Sequence, residues 1–105
     1  MTKKDLKKEN LIGMLDYQEG AIISKTLIEK ENGTITLFAF DKGQSISEHT
    51  ASHEAMAQVV EGSVEFTISG EKYELKAGEM IIMPGGEPHS LEATSQSKML
   101  LTMID

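Results

Sequence analysis

Two stretches decide how this chain folds: Gly43 to Gly62, GQSISEHTASHEAMAQVVEG, and Gly78 to Ala93, GEMIIMPGGEPHSLEA. Each follows a turn, Asp41-Lys42-Gly43 in the first case and Lys76-Ala77-Gly78 in the second, and each breaks into runs too short for a helix. Ser45 to Ser52 and Met56 to Val60 read as strands, closed by the turn Glu61-Gly62-Ser63. Glu79 to Met83 reads as a strand ended by Pro84-Gly85-Gly86, with Pro88 to Ala93 as the next.

Working outward, the same grammar continues. Ala21 to Glu29 is strand-like and is followed by Glu31-Asn32-Gly33, whose Asn-Gly pair is a strong hairpin signal. Thr34 to Phe40 is rich in β-branched and aromatic residues. Val64, Phe66 and Ile68 alternate with Glu65 and Thr67, the period of a half-buried strand. Tyr73 to Leu75 and Lys98 to Ile104 complete the set. About ten short strands with turn residues every eight to twelve positions predict an all-β closed barrel or two-sheet jelly roll. At 105 residues this is one domain. We divide it into a polar, Lys-rich N-terminal arm over residues 1–12 and a barrel over residues 13–105, with Leu11 to Leu15 docking the arm.

Charge excludes whole classes of partner. Ten Lys and no Arg face seventeen acids, for a net charge of -7, and four of the Lys lie in the first eight residues. From residue 9 onward six Lys face sixteen acids, so the barrel repels phosphate backbones, and its five aromatics give little to stack on bases. Nucleic acid is excluded as a partner. Without an arginine fork, strongly anionic ligands are disfavoured too. No apolar run approaches the ~20 residues of a membrane helix. The basic N-terminus has no apolar stretch behind it, so the expectation is a cytoplasmic protein without a signal peptide. Zero Cys rules out disulfides, thiolate metal sites and a cysteine nucleophile.

The two opening stretches also resemble a known family. Gly43, five residues, His49, then Gly62 after a strand is similar to the first cupin motif, which runs Gly, five residues, His, one residue, His, three or four residues, Glu, six residues, Gly. Gly78, five residues, Pro84, Gly86 and His89 resemble the second, which runs Gly, five residues, Pro, one residue, Gly, two residues, His, three residues, Asn. The resemblance implies a cupin-like jelly-roll barrel, a site inside it and a homodimer, paired through edge strands or the N-terminal segment. It also implies a divalent transition metal (Fe, Mn, Ni or Zn) held by two His and the Glu of the first motif and the His of the second.

Here the pattern is broken. His49 and His89 stand at ligand positions, but Ala51 stands in place of the second His, Ala55 in place of the Glu and Ala93 in place of the terminal Asn. Two of four ligands are methyl groups, fewer donors than a transition metal generally takes from a protein. His53 is a weaker third candidate, since it reaches the ion at His49 only if the chain folds sharply at Ala51-Ser52. The expected cavity is small-walled and apolar, with His49 and His89 among Ala51, Ala55, Ala57, Met83 and Leu91, and Met56 joining if the register differs. Glu61 and Glu65 read as solvated hairpin acids. Three functions stay open: a small-molecule binder with an incomplete metal site; a metal-dependent oxygenase or isomerase using His49 and His89 with a reduced ligand set; and an interaction or assembly barrel with a vestigial cavity.

Overall fold

The computed structural model describes residues 6–105, so the first five residues of the Lys-rich arm lie outside the described residues. A 3-10 turn at Ile12–Met14 leads into nine strands. These are β1 (Ile22–Lys30), β2 (Gly33–Phe40), β3 (Ser45–Thr50), β4 (Glu54–Glu61), β5 (Ser63–Ile68), β6 (Glu71–Lys76), β7 (Met80–Met83), β8 (Pro88–Ala93) and β9 (Ser97–Ile104). They pair antiparallel into a five-stranded sheet, β1-β2-β9-β4-β7, and a four-stranded sheet, β3-β8-β5-β6. The result is an all-β jelly roll.

The core lies between the two sheets and follows from strand parity. Ala55, Ala57 and Val59 on β4 sit opposite Met103, Leu101 and Met99 on β9 and face inward. Val64 and Phe66 on β5 meet Ala93 and Leu91 on β8 from the other sheet. Phe40 closes one end, its ring stacked on Phe38 with centroids 5.7 Å apart.

Three details differ from the sequence reading. The run at Ser45 ends at Thr50 rather than at Ser52. The next strand starts at Glu54, two residues before Met56, because cross-strand pairing to β9 extends it. In the first hairpin Lys30 pairs with Gly33, so Glu31 and Asn32 form the turn and Gly33 already belongs to β2.

The arm docks through a clasp that local pattern does not reveal. Lys98, only 6% exposed on β9, donates from Nζ to the Ile12 carbonyl and lies 4.8 Å from the centre of the Tyr17 ring. Glu61 is not a freely solvated acid: it accepts the Tyr17 hydroxyl and stands 3.9 Å from Lys98 Nζ. A buried ammonium requires such partners to offset its lost hydration. Burial, then the hydrogen bond to Glu61, then the Glu61 charge, push the Tyr17 phenol above its ordinary range. A raised value in the folded state means that this contribution to stability is complete below the unfolded phenol value, near pH ~10, and is lost as pH rises through the folded value. We expect Tyr17→Phe to be less stable at neutral pH and to lose part of the wild-type decline in stability above pH ~10. Denaturant titrations across pH 8–12 check this, and parallel curves for the two proteins would contradict it.

Candidate functional site

Two histidines meet where the two motif stretches pair. His49 on β3 and His89 on β8 are cross-strand partners, with ring centroids 4.2 Å apart and planes at 65°. His89 points inward by plain alternation, two residues from Leu91 and four from Ala93, both in the core. His49 does not. Counting in twos from inward-facing Ile46, it would face solvent. A β-bulge between Ile46 and His49 sets two residues, Ser47 and Glu48, against Ser90 and turns His49 toward His89.

Each ring is fixed in the same way. His49 Nδ1 lies 2.9 Å from the Ser47 carbonyl, and His89 Nδ1 lies 3.1 Å from the Glu87 carbonyl. A carbonyl can only accept, so Nδ1 carries a proton in both rings, and the tautomer this selects has its lone pair at Nε2. Neither Nε2 has a hydrogen-bond partner within the barrel among the described residues. His89 is 9% exposed whereas His49 is open to solvent, so the pair grades from core to surface at one end of the barrel.

The rim is built from both motifs. The Gly86 N–H donates to the Ala51 carbonyl at 2.8 Å, joining the turn before β8 to the link between β3 and β4. A Cβ on Gly85 would stand 2.4 Å from the Ser52 carbonyl oxygen, so only glycine lets the two segments approach this closely. Ala55 pairs with Met83 across β4 and β7, and both belong, with Ala57 and Leu91, to the buried apolar core. Met56 lies on the opposite parity and faces out of the barrel.

The chain does fold sharply between β3 and β4, yet His53 is engaged elsewhere. Its Nδ1 is 3.2 Å from Ser52 Oγ, and its Nε2 is 3.9 Å from Asp105 Oδ1. Among the described residues no three His, Cys, Asp or Glu side chains cluster so as to hold a metal ion. With Ala51 and Ala55 at the other two ligand positions, two imidazoles do not make up the donor set of the four-ligand metal site. Among the described residues, too, no helix is long and apolar enough to cross a membrane.

Comparison with known proteins agrees with this architecture. The model of the cupin domain matches residues 36–105. An uncharacterized protein of Aquifex aeolicus (strain VF5) is 30% identical over 93 residues, covering 87% of this chain and 77% of that protein. Among solved structures, a conserved protein of unknown function from Streptococcus pyogenes superposes with a TM-score of 0.90 at 34% identity, over 94% of this chain and 87% of that one. A cupin 2 conserved barrel domain protein from Leptotrichia buccalis gives a TM-score of 0.89 at 36% identity, over 92% of this chain and 47% of that one. With the family model covering most of its length and both motif stretches meeting at the mouth of a jelly roll, this chain belongs to the cupin family.

Proposed function

We propose that this protein is a cytoplasmic, small-molecule-binding cupin barrel that works from the His49–His89 pair, with the usual metal site incomplete at Ala51 and Ala55. One observation carries the reading: both imidazoles direct Nδ1 at a backbone carbonyl and leave Nε2 without a hydrogen-bond partner among the described residues. Two neighbouring Nε2 acceptors at one end of an apolar core suit a ligand with hydroxyl or amine donors on an otherwise apolar body. A net charge of -7 and the lack of arginine turn the preference away from strongly anionic compounds.

Thermal-shift screening of neutral and amine-bearing metabolites, with chelator present, tests the proposal. A ligand at ~100 times its Kd stabilises the fold by about 2.7 kcal/mol, and that shift should disappear in both His49→Ala and His89→Ala. A shift of the same size in either variant would place the ligand elsewhere and defeat the reading. The second reading, a metal-dependent oxygenase or isomerase with a reduced ligand set, draws on the same Nδ1 anchoring, because metal-bound imidazoles are oriented in this way as well. It requires a chelator to abolish ligand binding or turnover, whereas the first requires chelator to have no effect.

A further inference from the structure

The N-terminal arm roofs part of the outer face of the five-stranded sheet and leaves a cavity at its margin. Leu37 and Ala39 on β2 point away from the barrel core, on the opposite parity to Phe38 and Phe40, yet both are 0% exposed. Lys98, the partner of Ala39, holds the Ile12 carbonyl and lies over the Tyr17 ring, so the arm is what covers this face. Leu37 pairs on its other side with Lys25 of the edge strand β1. There, between arm and edge strand, lies a cavity of about 350 Å3, within the size range of small-molecule sites.

The cavity has an apolar lining from two elements, Leu11 and Met14 of the arm and Leu27 and Ile28 of β1. The β1 wall is the product of a β-bulge. Thr26 pairs with Thr36 and Ile28 with Ile35, which leaves Leu27 without a partner. Counted in twos from Lys25, a regular strand would put Leu27 and Glu29 on this face. The bulge puts Ile28 here instead and pairs Glu29 with Thr34, on the opposite parity. It thereby exchanges a carboxylate for an apolar side chain at the cavity wall. The charged part of the lining is Lys7 and Lys25 with Glu9, one net positive charge in a chain of net charge -7. Among the described residues, no ion pair involves any of these three.

We infer that this cavity binds a medium-chain monocarboxylate, its carboxylate held by Lys7 and Lys25 and its chain against Leu11, Met14, Leu27 and Ile28. The inference is independent of what the histidine pair binds, because the cavity lies on the far side of the five-stranded sheet from the barrel interior. Two lysines opposed by one glutamate match a head of one negative charge. A doubly charged phosphate would be left undercompensated and would find no arginine fork. The chain supplies the rest of the affinity, about fourfold for each methylene it buries. Because the arm and β1 each provide one wall, the ligand also ties the arm to the barrel, favouring the docked arm by mass action.

Isothermal titration calorimetry of the full chain with octanoate tests the proposal, with butanoate, hexanoate and octanol as comparisons. Octanoate should bind with a Kd below ~1 mM, a modest efficiency for a ligand of its size. Affinity should rise about fourfold per methylene across the three acids. Octanol, without the charge, should bind at least ~10-fold more weakly. Lys25→Glu and Ile28→Asp, both at exposed positions, should each weaken octanoate at least ~10-fold, with circular dichroism showing that the barrel persists. Lys25→Arg and His89→Ala should bind it as the wild type does. Saturating octanoate should also slow tryptic cleavage after Lys7 and Lys8, since a docked arm opens less often to a protease. No binding, equal affinity for octanol, or binding lost in His89→Ala but kept in Lys25→Glu would overturn the proposal. So would cleavage of the arm at an unchanged rate. Retention on phosphatidylglycerol vesicles without binding of monomeric octanoate would overturn it too, assigning the basic arm to a lipid surface instead.

Discussion

Ala51→His combined with Ala55→Glu is expected to turn a barrel without the four-ligand set into one that holds a divalent transition metal at about one ion per chain, the usual occupancy of a cupin-type site. Ala55 is 5% exposed and lies between Met83 on β7 and Met103 on β9, two flexible side chains that can yield volume to a longer residue. Ala55→Glu alone should be among the most damaging single changes, since an unpaired carboxyl in the core costs several kcal/mol. In the double variant a metal offsets that cost. At ~1,000 times its Kd it stabilises the fold by about 4 kcal/mol, a rise in melting temperature of more than ~10 °C for a domain of this size. Melting curves with and without manganese, nickel or zinc provide the check. Wild-type protein should show no comparable rise. A double variant that folds yet gains nothing from any of the three ions would mean that positions 49, 51, 55 and 89 do not converge.

Gly62→Ala should be the most destabilising glycine-to-alanine change in the chain. Gly62 turns the chain from the five-stranded sheet into the four-stranded one, at φ 79°. A Cβ there would lie 2.1 Å from the Gln96 carbonyl oxygen, 2.7 Å from Ser97 Oγ and 2.9 Å from Ser95 Oγ. The clash cannot be relieved by turning one side chain, because those hydroxyls take part in a network. The Ser63 N–H donates to Ser95 Oγ at 3.1 Å and to Ser97 Oγ at 3.0 Å, and Ser97 Oγ donates back to the Ser63 carbonyl at 2.7 Å. The left-handed conformation alone costs about 1–2 kcal/mol for a residue with a Cβ. Displacing the corner raises the total to roughly 3 kcal/mol or more, a fall in melting temperature of at least ~12 °C. Gly43→Ala is the control: Gly43 has φ 86° but open space around its Cβ position, so only the conformational cost applies. Equal losses in the two variants would show that the clash is not what fixes the corner.

Much of the barrel was legible from local signals, because strands alternate with period two and turns require Gly, Pro, Asn or Asp. Val64, Phe66 and Ile68 show this, as do the turns at Gly43, Gly78 and Pro84. The meeting of His49 with His89 was legible only through motif spacing. Alternation from Ile46 points His49 outward, and the bulge that reverses it depends on how β3 pairs with β8. The Lys98 clasp was not legible, because Ile12, Tyr17 and Glu61 are brought together only by the finished fold. Sequence separation, not weak chemistry, hid these features.

As proposed, the histidine pair serves a ligand without a resident metal. Elemental analysis of tag-free protein, equilibrated in turn with iron, manganese, nickel and zinc and then gel-filtered, tests it most directly. Well under one ion per chain is expected in every case, with no difference between wild type and His89→Ala. About one ion per chain in the wild type, lost in His89→Ala, would contradict it and leave the metal-dependent reading in its place.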